Sequence, residues 1–215
     1  MLAHTAPSRP CPGPPLTALR PNPTLLAEFD ERGARATPAD QCRGLFYNAA
    51  LRATRELAGP EAAQRCLEAS GERRLTDFLN YPVTGFHRLC LQAIEVLEPS
   101  LGSAAAVLQL LGKQAVDDFL ASTAGKTLVL LAQAEPQRMV RNLPSGYRAC
   151  VTYGERRVVW REATKCTLSM LGDYMPHPYH EGILATVLIT LGARNVQVQG
   201  RRVGVLDADY EMSWD

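Results

Sequence analysis

The stretch YRACVTYGERRVVWREATKCTLSM, Tyr147 to Met170, decides the fold class. Tyr147, Ala149, Val151 and Tyr153 alternate with Arg148 and Thr152, which is the period-two pattern of a half-buried strand. Gly154-Glu155 then offers a type II′ turn, because glycine at the first central position gives a twist that suits two flanking strands. Arg157 to Arg161 reads as the return strand. Lys165 to Met170 alternates again with Cys166, Leu168 and Met170 on one side, so a third antiparallel strand is expected.

Three such strands leave an apolar face that needs cover, and the cover follows in sequence. From His180 to Leu191, Ile183, Leu184, Val187, Leu188 and Leu191 repeat at helical spacing, with Glu181 and Thr186 off the stripe. Gly192 is placed to end that helix in the left-handed conformation. Asn195 to Gln199 and Asp209 to Trp214 read as two further strands, joined by a polar loop through Arg201, Arg202 and Gly204. The expected C-terminal half, 144–215, is therefore an antiparallel sheet of about five strands with one inserted helix.

Upstream the period changes to 3.6. A helix is expected from about Asp40 to Leu57, with Leu45, Phe46, Ala49, Ala50, Ala53 and Leu57 on one face, ended by Gly59-Pro60. A short helix spans Glu61 to Ala69, and Asp77 to Pro82 reads as a link because of its proline. Phe86, Leu89, Cys90, Ala93, Ile94 and Leu97 make the next stripe, closed by Pro99. Val107, Leu108, Leu111, Ala115, Val116 and Phe119 make another, with a kink expected at Gly112. Leu128 to Leu131 is apolar on all sides and is expected to be central, while Pro136 and Pro144 bracket the crossing into the sheet. The reading is one α+β domain over 39–215, with a helical half over 39–143. Eight prolines crowd into residues 1–38, so that leader is expected to be extended or disordered, with Leu25, Leu26 and Phe29 able to dock.

Composition narrows the function classes. The chain has 215 residues, 46% of them hydrophobic, and a formal net charge of +1. From Tyr147 onward eight basic residues face eight acidic ones, which gives no electrostatic footprint for nucleic acid or anionic lipid. Cys11, Cys42, Cys66, Cys90, Cys150 and Cys166 lack Cys-x-x-Cys spacing and read as reduced thiols, with Cys42, Cys66 and Cys90 on apolar helix faces. Met1 to Pro15 has no apolar core and no run of about 18 apolar residues occurs, so a cytoplasmic location without a membrane span is expected.

No motif carries an obvious reaction. Ala124-Gly125-Lys126-Thr127 ends like a phosphate loop, but Leu120 stands where the first glycine is needed. His177 and His180, with Cys166 and Asp173 upstream, are metal-type residues, yet Pro176 and Pro178 break the helical His-x-x-His spacing. Asp117 and Asp118 diverge on a helix, and no Ser-His-Asp order or nucleophile elbow stands out.

Several runs carry a family likeness: Asn80-Tyr81-Pro82-Val83, Asp117 to Ser122 with Ala124 to Thr127, Tyr153 to Arg156, Tyr179 to Gly182, and Asp209 to Trp214. Together they resemble a bacterial, myxobacterial paralogous family of unknown function, from about residue 39 to the C-terminus. That family is distantly similar to vinyl-reductase-type, haem-NO-binding and TRAPP small-subunit domains. The resemblance implies a regulatory or scaffolding domain that holds a small apolar ligand, haem, an acyl chain or a protein partner. The Tyr-x-Ser-x-Arg signature of the haem branch is missing from the sequence.

The expected function is non-catalytic binding of a small apolar ligand or a protein partner, with a homodimer through the helices as a further expectation. No cofactor, metal or nucleic acid is expected. Ligand contacts are expected at the seam between helices and sheet, from Phe86, His87, Cys90, Tyr147, Tyr153, Trp160, Tyr179 and His180. The alternatives are a haem or metal sensor, or a small enzyme, using His87, His177 or His180, and a structural adaptor with no pocket.

Overall fold

The computed structural model describes residues 23–133 and 135–215. Helix α1 (Pro23–Gly33) leads to strand β1 (Gln41–Arg43), helices α2 (Gly44–Ala58) and α3 (Pro60–Ser70), and strand β2 (Asn80–Pro82). Helices α4 (Val83–Leu101), α5 (Ala104–Ala121), α6 (Thr123–Leu131) and α7 (Pro136–Cys150) follow. The chain ends with strands β3 (Glu155–Glu162) and β4 (Lys165–Leu171), helix α8 (His177–Thr190), and strands β5 (Gln197–Arg202) and β6 (Ala208–Ser213).

The α+β class and the order of helices before sheet are as the sequence pattern implies. The main sheet is antiparallel in the order β3-β4-β6-β5, and β1 and β2 form a separate two-stranded ribbon. Alternation along each strand sends one row of side chains inward. Trp160, Cys166, Met212 and Val198 lie in register across the sheet, as do Val158, Leu168, Tyr210 and Gly200, and then Arg156, Met170, Ala208 and Arg202. Cys166, Leu168, Met170, Tyr210 and Met212 are all buried in the same core cluster as the helices.

Helix α8 lies between the sheet and α5, and is therefore buried on more than the single stripe expected: Tyr179, His180, Ile183, Leu184, Val187 and Leu188 are all inside. Two glycines set how close α8 comes to α5. A Cβ on Gly112 would lie 2.0 Å from the Tyr179 carbonyl oxygen, and one on Gly182 would lie 2.0 Å from the Gln109 carbonyl oxygen. The two backbones thus touch, with no room for even a methyl group. Helix α8 ends as expected at Gly192, whose φ is +84°, with Gly192 N–H donating to the Ile189 carbonyl and Ala193 N–H to Leu188. This pairing satisfies the carbonyls that a helix end leaves without partners.

Several expectations need correction. Tyr147 to Cys150 form the last turn of α7, and Val151 makes only an isolated bridge to Cys42, so the expected first strand is absent and the sheet has four strands. Met139, Val140, Leu143 and Tyr147 are the buried stripe of α7 at helical spacing. Pro136 sits in its first turn, where the missing N–H needs no partner, and Pro144 is carried inside the helix. Pro99 likewise lies within α4. Gly112 marks the contact with α8 described above. Leu130 and Leu131 at the end of α6 are 76% and 70% exposed, so that run is peripheral. Residues 23–33 are helical, with Leu25 and Phe29 docked into the core; the rest of the expected leader, 1–22, lies outside the described residues.

Among the described residues no single helix is long and apolar enough to cross a membrane. Replacement of Gly182 by alanine forces α5 and α8 apart. The expected outcome is a loss of about 1–3 kcal/mol from overpacking, larger than the gain of up to about 1 kcal/mol in helix propensity. A lowered midpoint in urea denaturation would show it.

Candidate functional site

Two linked spaces open between the helical layers. The outer one is a cleft of about 600 Å³ bounded by Leu45, Phe78, Phe119, Leu128, Gly146, Ala149 and Cys150, with Arg43, Asp77, Ser122, Thr123 and Ser145 among its wall residues. Phe119, Leu128, Gly146 and Cys150 also wall an inner apolar cavity of about 80 Å³, completed by Phe46, Val116, Met139, Leu143, Tyr147, Ile183 and Val187. Ser122, in the wall of the cleft, stands between α5 and α6. Its side chain accepts from Gly125 N–H at 3.1 Å and caps α6.

Behind the apolar cavity lies a smaller one of about 20 Å³, which shares Phe46, Tyr147 and Ile183 with it. Phe86, Tyr153, Arg156, Asp173, Tyr179 and His180 are among its other walls. Its polar side is a buried cluster. Asp173 accepts from His180 Nε2 at 2.9 Å and from the Met175 N–H at 2.8 Å, and pairs with the Arg156 guanidinium. His180 Nδ1 meets the Tyr147 hydroxyl at 3.1 Å. An ionised carboxylate only accepts, so Nε2 carries the proton and, in the neutral ring, Nδ1 accepts from the Tyr147 O–H. Arg156 also donates to the Tyr153 carbonyl and lies 5.0 Å from the Tyr147 ring centre, a cation–π arrangement.

The states of these groups follow from their surroundings. Burial pushes the Asp173 carboxyl up, but His180 beside it, the Arg156 guanidinium and the hydrogen bonds it accepts outweigh burial and hold it well below the usual carboxylate range. Burial raises the Tyr147 phenol far above its ordinary value, so it keeps its proton. The Cys150 thiol is pushed up to about 11 by burial, against the opposing pull of Arg43. No group in the cluster is left as a free nucleophile: both His180 nitrogens are engaged and Tyr147 is protonated.

Phe86, Tyr147, Tyr153, Tyr179 and His180 of the expected contact set do converge, all on the 20 Å³ cavity. The other three do not join them. His87 faces away, under α1, with its ring 5.1 Å from that of Phe29. Cys90 is wholly buried in the helical core. Trp160 packs on Trp214 and beneath Arg141 on the sheet. His180, in the first turn of α8, is locked in the cluster. The expected contact set lacked Arg156 and Asp173, the latter named only among the metal-type residues near His177 and His180. Arg156 occupies an inward row of an edge strand, where alternation leads one to look for an apolar residue, and only the lone charge on that row could have signalled it.

Helix α1 seals the far side of the cluster. Arg32, fully buried, donates to the Asp173 carbonyl at 2.6 Å and pairs with Glu28 one turn back, also at 2.6 Å. His87 beneath it has an Nε2 atom with no hydrogen-bond partner, and burial pushes its imidazole down to about 4. His177 Nδ1 is also without a partner, and among the described residues no group of three or more metal-type side chains converges.

A family model described as a protein of unknown function, DUF2378, matches residues 35–215. The chain belongs to that family. The DUF2378 match takes in the whole cluster and both cavities, while α1 precedes it. No curated protein matches the chain.

Among solved structures, the DUF2378 fold is similar to the unliganded Fe(II) H-NOX protein from K. algicida, at a TM-score of 0.64 and 11% identity, covering 80% of this chain and 96% of that one. It is similar to the same degree to an H-NOX protein from S. oneidensis in the Fe(II)NO ligation state, at 0.64 and 10%, covering 80% and 99%. An oxygen-binding H-NOX domain related to soluble guanylate cyclases scores 0.54 at 12% identity, covering 80% and 95%. At such identities the likeness is one of fold, and fold leaves function open.

Two outcomes follow from the charged groups. Replacement of Asp173 by asparagine leaves the buried Arg156 uncompensated and is expected to lower stability by about 3–5 kcal/mol, measured by denaturant titration at neutral pH. The His87 ring is kept neutral in the fold, so the unfolded chain takes up a proton that the folded one refuses. Stability should therefore fall as pH drops from about 6.5 towards the folded value of about 4. His87→Leu should flatten that part of a melting-temperature profile.

Proposed function

We propose that this domain binds a small apolar ligand, without transforming it, in the cleft between α6 and α7 and the cavity behind it. The observation that carries the reading is the lining: hydrocarbon from Phe46, Val116, Phe119, Leu128, Leu143, Ile183 and Val187 surrounds the 80 Å³ cavity, which shares Phe119, Leu128, Gly146 and Cys150 with the 600 Å³ cleft. A concave apolar space with a few polar groups at one end is what small-molecule sites have in common. The binding role rather than an enzymatic one is supported by the state of the polar cluster, where each hydrogen-bonding atom of His180 already has a protein partner.

Haem, which the iron states named for the structural neighbours suggest, does not fit these walls. None of the described histidines reaches the cleft or the apolar cavity: His87 is under α1, and His180 is held by Tyr147 and Asp173. Arg43, the guanidinium in the cleft wall, already donates to the carbonyls of Ala149 and Phe78, leaving no ready clamp for acidic side groups. A ligand held by hydrophobic contact alone suits the site better.

Gly146 provides a clean test. It lines both spaces, and a Cβ there would meet nothing within 4 Å. Gly146→Trp fills the cleft while favouring the helix by up to about 1 kcal/mol, so the fold should hold. The expected result is that the wild-type chain enhances the fluorescence of an apolar naphthalene dye, and that the variant binds it at least about tenfold more weakly, the loss of roughly 1.4 kcal/mol of contact. Equal dye binding by both proteins, with the melting temperature unchanged, would remove the cleft from consideration.

A further inference from the structure

Two residues that line the 20 Å³ cavity, Tyr179 and Arg156, each carry a buried hydrogen-bond donor without a partner. Tyr179 is 3% exposed and its hydroxyl makes no hydrogen bond; the Arg156 side chain is 2% exposed and its Nε makes none. A buried donor left without an acceptor costs about 1–3 kcal/mol, so two donors on one small space call for an acceptor between them. The volume suits one oxygen atom, the size of a single water.

We infer that this inner cavity is the polar end of the ligand site, and that the ligand is an apolar molecule whose leading end carries one neutral hydrogen-bond acceptor, a carbonyl, ether or hydroxyl oxygen. The inference rests on the proposed binding in the cleft and goes further by naming the ligand's chemistry. The path is set by shared walls. Phe46, Tyr147 and Ile183 line both the apolar cavity and the inner one, so a chain that extends from the cleft through the apolar cavity would meet hydrocarbon first and the two donors last.

Charge decides between a neutral and an ionised acceptor. The Asp173 carboxylate borders the cavity, and both terminal nitrogens of Arg156 are already engaged, one by Asp173 and one by the Tyr153 carbonyl. An entering carboxylate would therefore face another carboxylate whose neutralising cation is already in use, in a space from which water is excluded. A neutral oxygen accepts from Tyr179 O–H and Arg156 Nε–H without adding charge. Tyr147 stands at the threshold with its hydroxyl turned to His180 Nδ1, so its ring presents carbon to the passing ligand.

Three probes that share one ten-carbon skeleton test this on the full chain, each displacing the apolar dye: n-butylbenzene, 4-phenyl-2-butanone and 4-phenylbutanoate. Tyr179→Phe removes one of the two partnerless donors and breaks no hydrogen bond, so its melting temperature should equal or exceed that of the wild type. The variant is expected to bind 4-phenyl-2-butanone about three- to tenfold more weakly, with n-butylbenzene within about twofold; the carboxylate should bind less well than the ketone to both proteins. The infrared carbonyl stretch of the ketone should move to lower wavenumber in the wild-type complex relative to hexane solution, and return part-way in the variant. If the ketone and the hydrocarbon respond equally to Tyr179→Phe, or if the carbonyl stretch matches that in hexane, the inference is overturned while cleft binding stands. If none of the probes displaces the dye, cleft binding falls and the inference with it.

Discussion

The architecture depends on how closely α5 and α8 approach. Gly112 and Gly182 remove the two side chains that would separate them, and backbone meets backbone at both points. With α5 and α8 fixed, the other elements have little freedom. The sheet lies on the far side of α8, and Tyr179 and His180 in its first turns are carried to the place where sheet, α4 and α7 converge. Ala115 and Val116 from one helix and Ile183 and Val187 from the other then wall the same cavity. The apolar space is thus a by-product of a helix crossing that brings backbones together at one end and leaves larger side chains to diverge at the other.

The buried charges answer a different constraint. Asp173 follows the last residue of β4 by two positions and Arg156 is the second residue of β3, so the antiparallel register that pairs Arg156 with Met170 brings both to one end of the sheet. Such a pair contributes little net stability once its desolvation is counted, but removing one member is severe. What the cluster gains is orientation: Asp173 fixes the His180 ring, His180 fixes the Tyr147 hydroxyl, and Arg156 stacks against Tyr147 and Tyr153. Aromatic walls with defined tilt make a shaped cavity where loose tyrosines would make an adaptable one.

The sequence showed the elements whose period is clear. The stripes of α4 and α5, the β3 and β4 alternation and the glycine end of α8 are all legible, because one physical cause dominates each. Tyr147 to Tyr153 was misread for a definable reason. A stretch that ends an amphipathic helix and leaves as extended chain satisfies both periods over a few residues, and Pro136 and Pro144 looked like boundaries when both are tolerated in α7. Leu128 to Leu131 misled because hydrophobicity without a face does not distinguish the centre of a core from the rim of a cleft. Of the site, Phe86, Tyr147, Tyr153, Tyr179 and His180 were placed at the helix-to-sheet seam from the sequence. Arg156 and Asp173 were not, since what matters in them is proximity across a sheet register, which no local pattern encodes.

Helix α1 has a property that bears on where this domain can be cut or joined. It brings its own counter-ion, Glu28 against Arg32, so the charges it buries enter the core as a neutral pair even though Arg32 is fully enclosed. It also supplies a donor to the Asp173 main chain and an aromatic lid to His87. A fragment trimmed to the family's borders would open a wet window onto the back of the Asp173 cluster, and with it a route by which solvent could loosen the aromatic walls from behind.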